Sequence, residues 1–153
     1  MANEVGQKAT DFKLPTDEGK FLSLKVLEGK KVILYFYPKD NTPGCTKEAC
    51  AFRDSWSNLE KIGATVIGIS RDSVNSHQAF KSKYNLPFTL LSDKESNVCE
   101  RYGVLIDKSL FGKKYKSIER TTFLINEAGI ISAVWRKVKV NGHVAEVLKK
   151  LIS

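Results

Sequence analysis

Histidine and cysteine are scarce in this 153-residue chain, two and three residues respectively, and that scarcity narrows the chemistry open to it. A zinc centre would have to draw on Cys45, Cys50, Cys99 and one of His77 or His143. Cys45 and Cys50 straddle a helix start, which is poor ligand geometry, and no second close pair completes a tetrahedral set. No Gly-x-Gly-x-x-Gly occurs. The one segment that superficially fits a phosphate loop, residues 63–68, continues as Ile69-Ser70 where such a loop needs Lys and then Ser or Thr. These motifs give no reason to expect a zinc centre or a nucleotide cofactor. Long hydrophobic runs are missing too. The longest, around Val32 to Tyr37, is far short of the roughly 20 apolar residues that a bilayer requires. The stretch after Met1 carries Asn3, Glu4, Gln7 and Lys8 and does not read as a signal peptide. A cytoplasmic location without a membrane partner is the expectation.

Acidic residues are in deficit, 17 against 25 basic, for a net charge of +8. Such an excess can mark a nucleic-acid or membrane-surface role. Here the lysines are dispersed and no basic run exceeds two residues, so a solvated surface without a specific nucleic-acid partner is expected. The densest stretch, residues 108–116, reads as a loop. Three cysteines are an odd number and are not spaced as a secreted disulfide framework. In a reducing compartment such residues are packing groups, metal ligands or reactive thiols.

The length suits one domain with a real core. Residues 12–14 and 21–24 read as two short strands around a turn-rich segment. Residues 31–37 form an unalternating run of β-branched, aromatic and aliphatic side chains, the pattern of a central strand covered on both faces, and residues 64–70 form another. One helix between them makes a βαβ unit with a parallel pair. A helix over 72–84, a strand over 88–91 and a short helix over 94–102 follow. Residues 121–125 and 130–136 flank Asn126-Glu127-Ala128-Gly129, a hairpin signal. A last helix starts at an Asn141 cap, with Val144, Val147, Leu148, Leu151 and Ile152 along one side. The fold class is α/β, a central mixed β-sheet with helices on both faces.

The informative segment lies just beyond the first central strand, where open α/β sheets put their sites. Thr42-Pro43 is a helix-start signature, Thr as N-cap and Pro at the first helical position. It puts Cys45 in the first turn, among N–H groups that lack partners inside the helix. The thiolate is the nucleophilic form of cysteine, and helix N-termini and nearby cations favour it. Cys45, Ala49, Phe52, Trp56 and Leu59 share one helical stripe, so Cys45 begins the core-facing side, while Cys50, Arg53, Asp54 and Ser57 lie on the polar side. Five residues of α-helix turn a side chain by roughly 140° and raise it about 7.5 Å. A disulfide needs Cα atoms within about 6.8 Å. Cys45 and Cys50 therefore cannot bond while the helix is intact; if they pair, its first turns must unwind. Cys99, beside Val98 in a short helix, reads as a packing thiol.

Pro38-x3-Thr42-x2-Cys45 resembles the active-site signature of the peroxiredoxins. The five-residue step to Cys50 is similar to the bacterioferritin comigratory protein, or peroxiredoxin Q, branch of atypical two-cysteine peroxidases. The resemblance covers essentially the whole chain and implies a single thioredoxin-like domain over residues 1–153. It implies that Cys45 attacks peroxide and Cys50 resolves the product. The Thr42 hydroxyl and the Cys45 N–H would hold the peroxide oxygens, and Pro38 would shield the thiolate from water. The family's catalytic arginine precedes a strand, a context that Arg120-Thr121-Thr122-Phe123 matches. Glu48 would orient an arginine; taken alone it is an exposed first-turn acid. The resemblance further implies hydrogen peroxide and organic hydroperoxides as substrates, thioredoxin as reductant, and a monomer. Two rivals remain: a thioredoxin-like disulfide oxidoreductase, which lacks its first cysteine because Thr42 stands there, and a non-enzymatic basic binding module.

Overall fold

The computed structural model describes residues 3–153. Lys13–Pro15 (β1) and Phe21–Ser23 (β2) pair antiparallel, and a 3₁₀ turn, Leu24–Leu27, follows them. Leu24, expected in the second strand, begins that turn. Lys31–Phe36 (β3), Ala64–Ser70 (β4), Thr89–Ser92 (β5), Thr121–Ile125 (β8) and Ile131–Trp135 (β9) make one five-stranded sheet. Its order is β5-β4-β3-β8-β9, with β3 in the middle. β3 and β5 each run parallel to β4, whereas β8 runs antiparallel to β3 and β9. The sheet is therefore mixed, as its sequence pattern implied.

Successive side chains of a strand alternate faces, so β3 feeds two cores. Val32, Leu34 and Phe36 pack with Ile67, Ile69, Phe123 and Ile125. The N-terminal segment covers them with Phe12 and Leu14, and helix α4 (Val98–Arg101) covers them with Val98 and Cys99. Ile33, Tyr35 and Tyr37 face the opposite way. There they meet α1 (Pro43–Asp54), α2 (Trp56–Ile62), α3 (Val74–Tyr84) and α5 (His143–Leu151) through Ala49, Phe52, Leu59, Phe80, Val144 and Val147. The β–α–β crossovers from β3 to β4 and from β4 to β5 put their helices on this one face, as crossovers of one hand stepping the same way across a sheet must.

Five further expectations need correction. The single helix between β3 and β4 is two helices, broken at Ser55 (φ −97°, ψ 5°), whose N–H bonds back into the end of α1. Serine competes with the helix through its own hydrogen bonding, which suits a break. The 72–84 and 94–102 helices are shorter than expected: α3 begins after a Ser73 cap, and α4 is a single turn. The last helix is capped by Gly142 (φ 78°), and Asn141 lies outside it. The lysine-rich 108–116 segment is a hairpin and not a loop: Leu105–Leu110 (β6) pairs antiparallel with Lys113–Ile118 (β7). Phe111 and Gly112 both have positive φ, the signature of the two-residue turn that matches strand twist. The hairpin is solvated on both faces for most of its length, so it shows no apolar alternation to read.

Candidate active site

β3 ends at Phe36, and the chain turns through residues 37–42 into α1. Tyr37 stays on the sheet by donating its N–H to the Ile69 carbonyl. Pro38 is half-buried at the start of the turn. Asn41 takes a left-handed conformation (φ 59°), which asparagine tolerates better than most residues. Thr42 is the N-cap by backbone geometry, with Pro43 at the first helical position, as expected. Its hydroxyl does not cap the helix, however. It donates to the Lys39 carbonyl at 2.8 Å, closing the loop on itself. The first-turn N–H groups around Cys45 are thus left without a capping side chain.

Cys45 lies under this first turn, 1% exposed, in the core shared with Tyr35, Tyr37 and Phe52. Arg120 reaches it from the end of the segment that leads into β8. One guanidinium nitrogen, Nη2, donates to Cys45 Sγ at 3.3 Å, and the other, Nη1, donates to Glu48 Oε1 at 2.7 Å. Burial opposes the charge on Arg120, but Glu48 and Cys45 beside it raise its pKa above the ordinary value. The approach depends on Gly44: a methyl group there would sit 3.1 Å from Arg120 Nη2.

Glu48 is fully buried, not an exposed first-turn acid. Cys45 and Glu48 are three residues apart on one helix, so both side chains lie over the same patch of core. Burial pushes the Glu48 carboxyl up to about 7, and the Arg120 charge only partly opposes this. Its second oxygen, Oε2, has no hydrogen-bond partner among the described residues, nor does the buried Tyr35 hydroxyl.

Arg120 thus joins Cys45 and Glu48, with Pro38 and Thr42 on the adjoining loop. Cys50 is half-buried farther along the intact α1, and all three cysteines are free thiols. Cys99 is packed in the other core, and burial raises its pKa far out of the working range. Among the described residues neither His77 nor His143 hydrogen-bonds Cys45. His77 is fastened to Asp40, and His143 bonds Thr122, so neither makes a Cys-His pair. The Asp40–His77 contact escaped sequence reading because 37 residues separate its partners and neither belongs to a motif. A cleft of about 250 Å³ lined by Lys8, Asp11, Lys25, Glu28, Val32 and Ile125 opens at the opposite end of β3, away from the cysteine.

The chain matches the AhpC/TSA family over residues 5–134. It is 73% identical over 151 residues to a Coxiella burnetii chain assigned to peroxiredoxin bcp, covering 99% of this chain and all of that one. The peroxiredoxin Q of Xylella fastidiosa, solved as a cysteine-to-serine mutant, superposes with a TM-score of 0.93 at 37% identity, over 99% of this chain and 97% of that one. The bacterioferritin comigratory protein of Xanthomonas campestris, studied for alkyl peroxide reduction in trapped-intermediate and ligand complexes, gives a TM-score of 0.87 at 40% identity, over 92% and 90%. Likeness of this extent, over a thioredoxin-like α/β sheet, leaves one conclusion: the chain belongs to the AhpC/TSA family and is a peroxidase of its bacterioferritin comigratory protein, or peroxiredoxin Q, branch.

Proposed function

We propose that the chain reduces hydrogen peroxide and alkyl hydroperoxides through Cys45 and Cys50, as an atypical two-cysteine peroxidase recycled by thioredoxin. The observation that carries this reading is the Arg120 Nη2 contact on Cys45 Sγ in the first turn of α1. The thiolate is the attacking species of cysteine, and this contact sets a fixed cation beside the sulfur at a helix start. The alkyl peroxide activity studied in the Xanthomonas campestris relative supports that substrate class.

In the first step the Cys45 thiolate attacks one peroxide oxygen and the O–O bond breaks. The departing oxygen takes a proton and leaves as water or an alcohol, and Cys45 becomes a sulfenic acid. Arg120 offers donors toward the oxygen on which charge develops. The Cys45 N–H and the Thr42 hydroxyl would hold the peroxide, which requires Thr42 to give up or share its bond to Lys39. Pro38 would shelter the sulfur from water. In the second step the opening turns of α1 unwind and the Cys50 thiolate attacks the Cys45 sulfur, expelling the hydroxyl as water and forming the disulfide. An external dithiol then reduces that bond by exchange. Both sulfurs lie on one helix, so a monomer acting as a single domain suffices. A reducing cytoplasm suits three free thiols, and no helix among the described residues is long and apolar enough to cross a membrane.

The test is a thiol count and intact mass after one equivalent of hydrogen peroxide. Wild type should lose two thiols and two hydrogens, Cys45→Ser should not react, and Cys50→Ser should stop at the sulfenic acid. Equal reaction of the Cys45→Ser variant would remove Cys45 from the cycle, and sustained thioredoxin-coupled turnover of Cys50→Ser would remove Cys50.

A further inference from the structure

The loop that joins β3 to α1 is fastened to α3 by a buried polar cluster that the cycle above does not use. Asp40 is its centre. Oδ1 accepts from the Tyr37 hydroxyl at 2.6 Å, and Oδ2 accepts from the Ser76 hydroxyl at 2.8 Å. The same Oδ2 lies 2.7 Å from Nδ1 of His77, which is fully buried. The backbone N–H of Asp40 donates to Asp72 Oδ2 at 2.8 Å, an oxygen that also takes the Ser70 hydroxyl. His77 is fixed at its far end, where Nε2 meets the Leu91 carbonyl at 2.9 Å. A carbonyl can only accept, so Nε2 carries a hydrogen and both ring nitrogens face oxygen acceptors. The next residue is held as well: Asn41 Oδ1 accepts from the Tyr84 hydroxyl at 3.1 Å and from Lys83 Nζ at 3.3 Å.

Asp40, Asp72 and His77 bring ligand-type atoms within 4.8 Å of one another, but these bonds already engage them, so the cluster is a fastening and not a cation site. What it fastens is the loop of Pro38 and Thr42. α3 grips that loop near both ends of the helix, through Ser76 and His77 at one and Lys83 and Tyr84 at the other.

We infer that Asp40, fixed by His77, is a positioning residue for the attack on peroxide and stays in place while α1 opens. The inference rests on the two-cysteine cycle proposed above. In that cycle the backbone that has to rearrange to bring Cys45 to Cys50 is the helix that carries both, α1. Every bond to Asp40 lies before Pro43 or on α3 and its approach, so none has to break. Asp40 therefore acts on the step in which residues 38–45 surround the peroxide and not on the later opening. Misplacement of a reacting group by about 1 Å can cost a hundredfold in rate.

The two steps are read separately, as a second-order rate constant for peroxide and a first-order rate constant for disulfide formation. Asp40→Ala should slow the first by about tenfold or more and leave the second within about twofold. Asp40→Asn keeps the shape of the side chain and an acceptor for Tyr37, so it should recover most of the loss. A merely structural role would lower both constants together, or the melting temperature alone. If Asp40→Ala does not fold, Tyr37→Phe combined with Ser76→Ala strips two donors from Asp40 without adding volume and should show the same split. A folded variant with an unchanged peroxide rate constant, or an equal fall in both steps, overturns the inference. Wild-type protein that keeps its thiols in peroxide overturns the cycle itself, a different result that the thiol count reports.

Discussion

Arg120 lies across Cys45 and Glu48 with one guanidinium, donating to the sulfur at 3.3 Å and to the carboxylate at 2.7 Å. A planar fork can do both at once, whereas an ammonium on a flexible stem is a point charge. Arg120→Lys should therefore keep the positive charge and still lose reactivity. Removing one preorganised donor from a developing charge costs about a hundredfold or more. That fall in the second-order rate constant with peroxide, measured by stopped flow with little change in melting temperature, is the expected outcome. A rate constant within about threefold of wild type would mean that charge alone suffices and the fork is dispensable.

The same guanidinium makes Gly44 a test position. Gly44 lies in the first turn of α1, and alanine is favoured over glycine by about 1 kcal/mol in a helix interior. A methyl group there meets Arg120 Nη2 at 3.1 Å, so the guanidinium must give by a few tenths of an ångström. Gly44→Ala should thus hold or raise the melting temperature while slowing the reaction with peroxide several-fold. It should also slow disulfide formation, since a stiffer first turn resists unwinding. Faster turnover would show that Arg120 has room to spare.

What the sequence made legible follows what it encodes locally. The unalternating runs of β3 and β4 announced buried central strands, and Thr42-Pro43 announced the start of α1. Arg120 was reached only through the family resemblance, because 75 residues separate it from Cys45. The hidden parts are long-range or depend on burial. Glu48 falls on the helix face that α1 turns inward, and charge alone suggested water. The hairpin of β6 and β7 is solvated on both faces, so its lysines looked like loop. The Asp40–His77 contact depends on how α3 settles against the β3–α1 loop, which no local pattern specifies.

Thiol accessibility should separate the three cysteines. Cys99 is 1% exposed and its thiol is disfavoured as thiolate, chiefly by burial and then by Asp93. Cys50 is half-buried, and Cys45 is buried but lies beneath the turn that the proposed cycle opens. Brief iodoacetamide treatment of the reduced native protein, followed by peptide mass mapping, should label Cys50 and Cys45 and spare Cys99. Cys99 should label only after denaturation. Early labelling of Cys99 would show that the core around α4 opens readily.

Glu48 should leave its mark on stability as pH changes. Its carboxyl titrates near 7 when folded, against 4.5 for the free group, chiefly because burial disfavours its charge. A group whose folded pKa is raised contributes stability that is fully present below the unfolded value and is lost as pH rises through the folded one. Between about 4.5 and 7 the folded chain holds a proton that the unfolded chain has released, so stability should fall across this window. The shift, 7 minus 4.5, corresponds to roughly 3 kcal/mol at about 1.4 kcal/mol per unit. Glu48→Gln removes the titration and keeps an acceptor for Arg120. Urea unfolding at pH 5 and pH 8, in a Cys45→Ser background that silences the neighbouring thiol, gives the comparison. Moving from pH 5 to pH 8, the protein that retains Glu48 should lose roughly 2 kcal/mol relative to the Glu48→Gln variant. Groups common to both proteins, His143 among them, cancel in the difference. Parallel pH profiles would mean that the Arg120 charge compensates the burial of Glu48 in full, and the carboxylate would then be ionised throughout the working range.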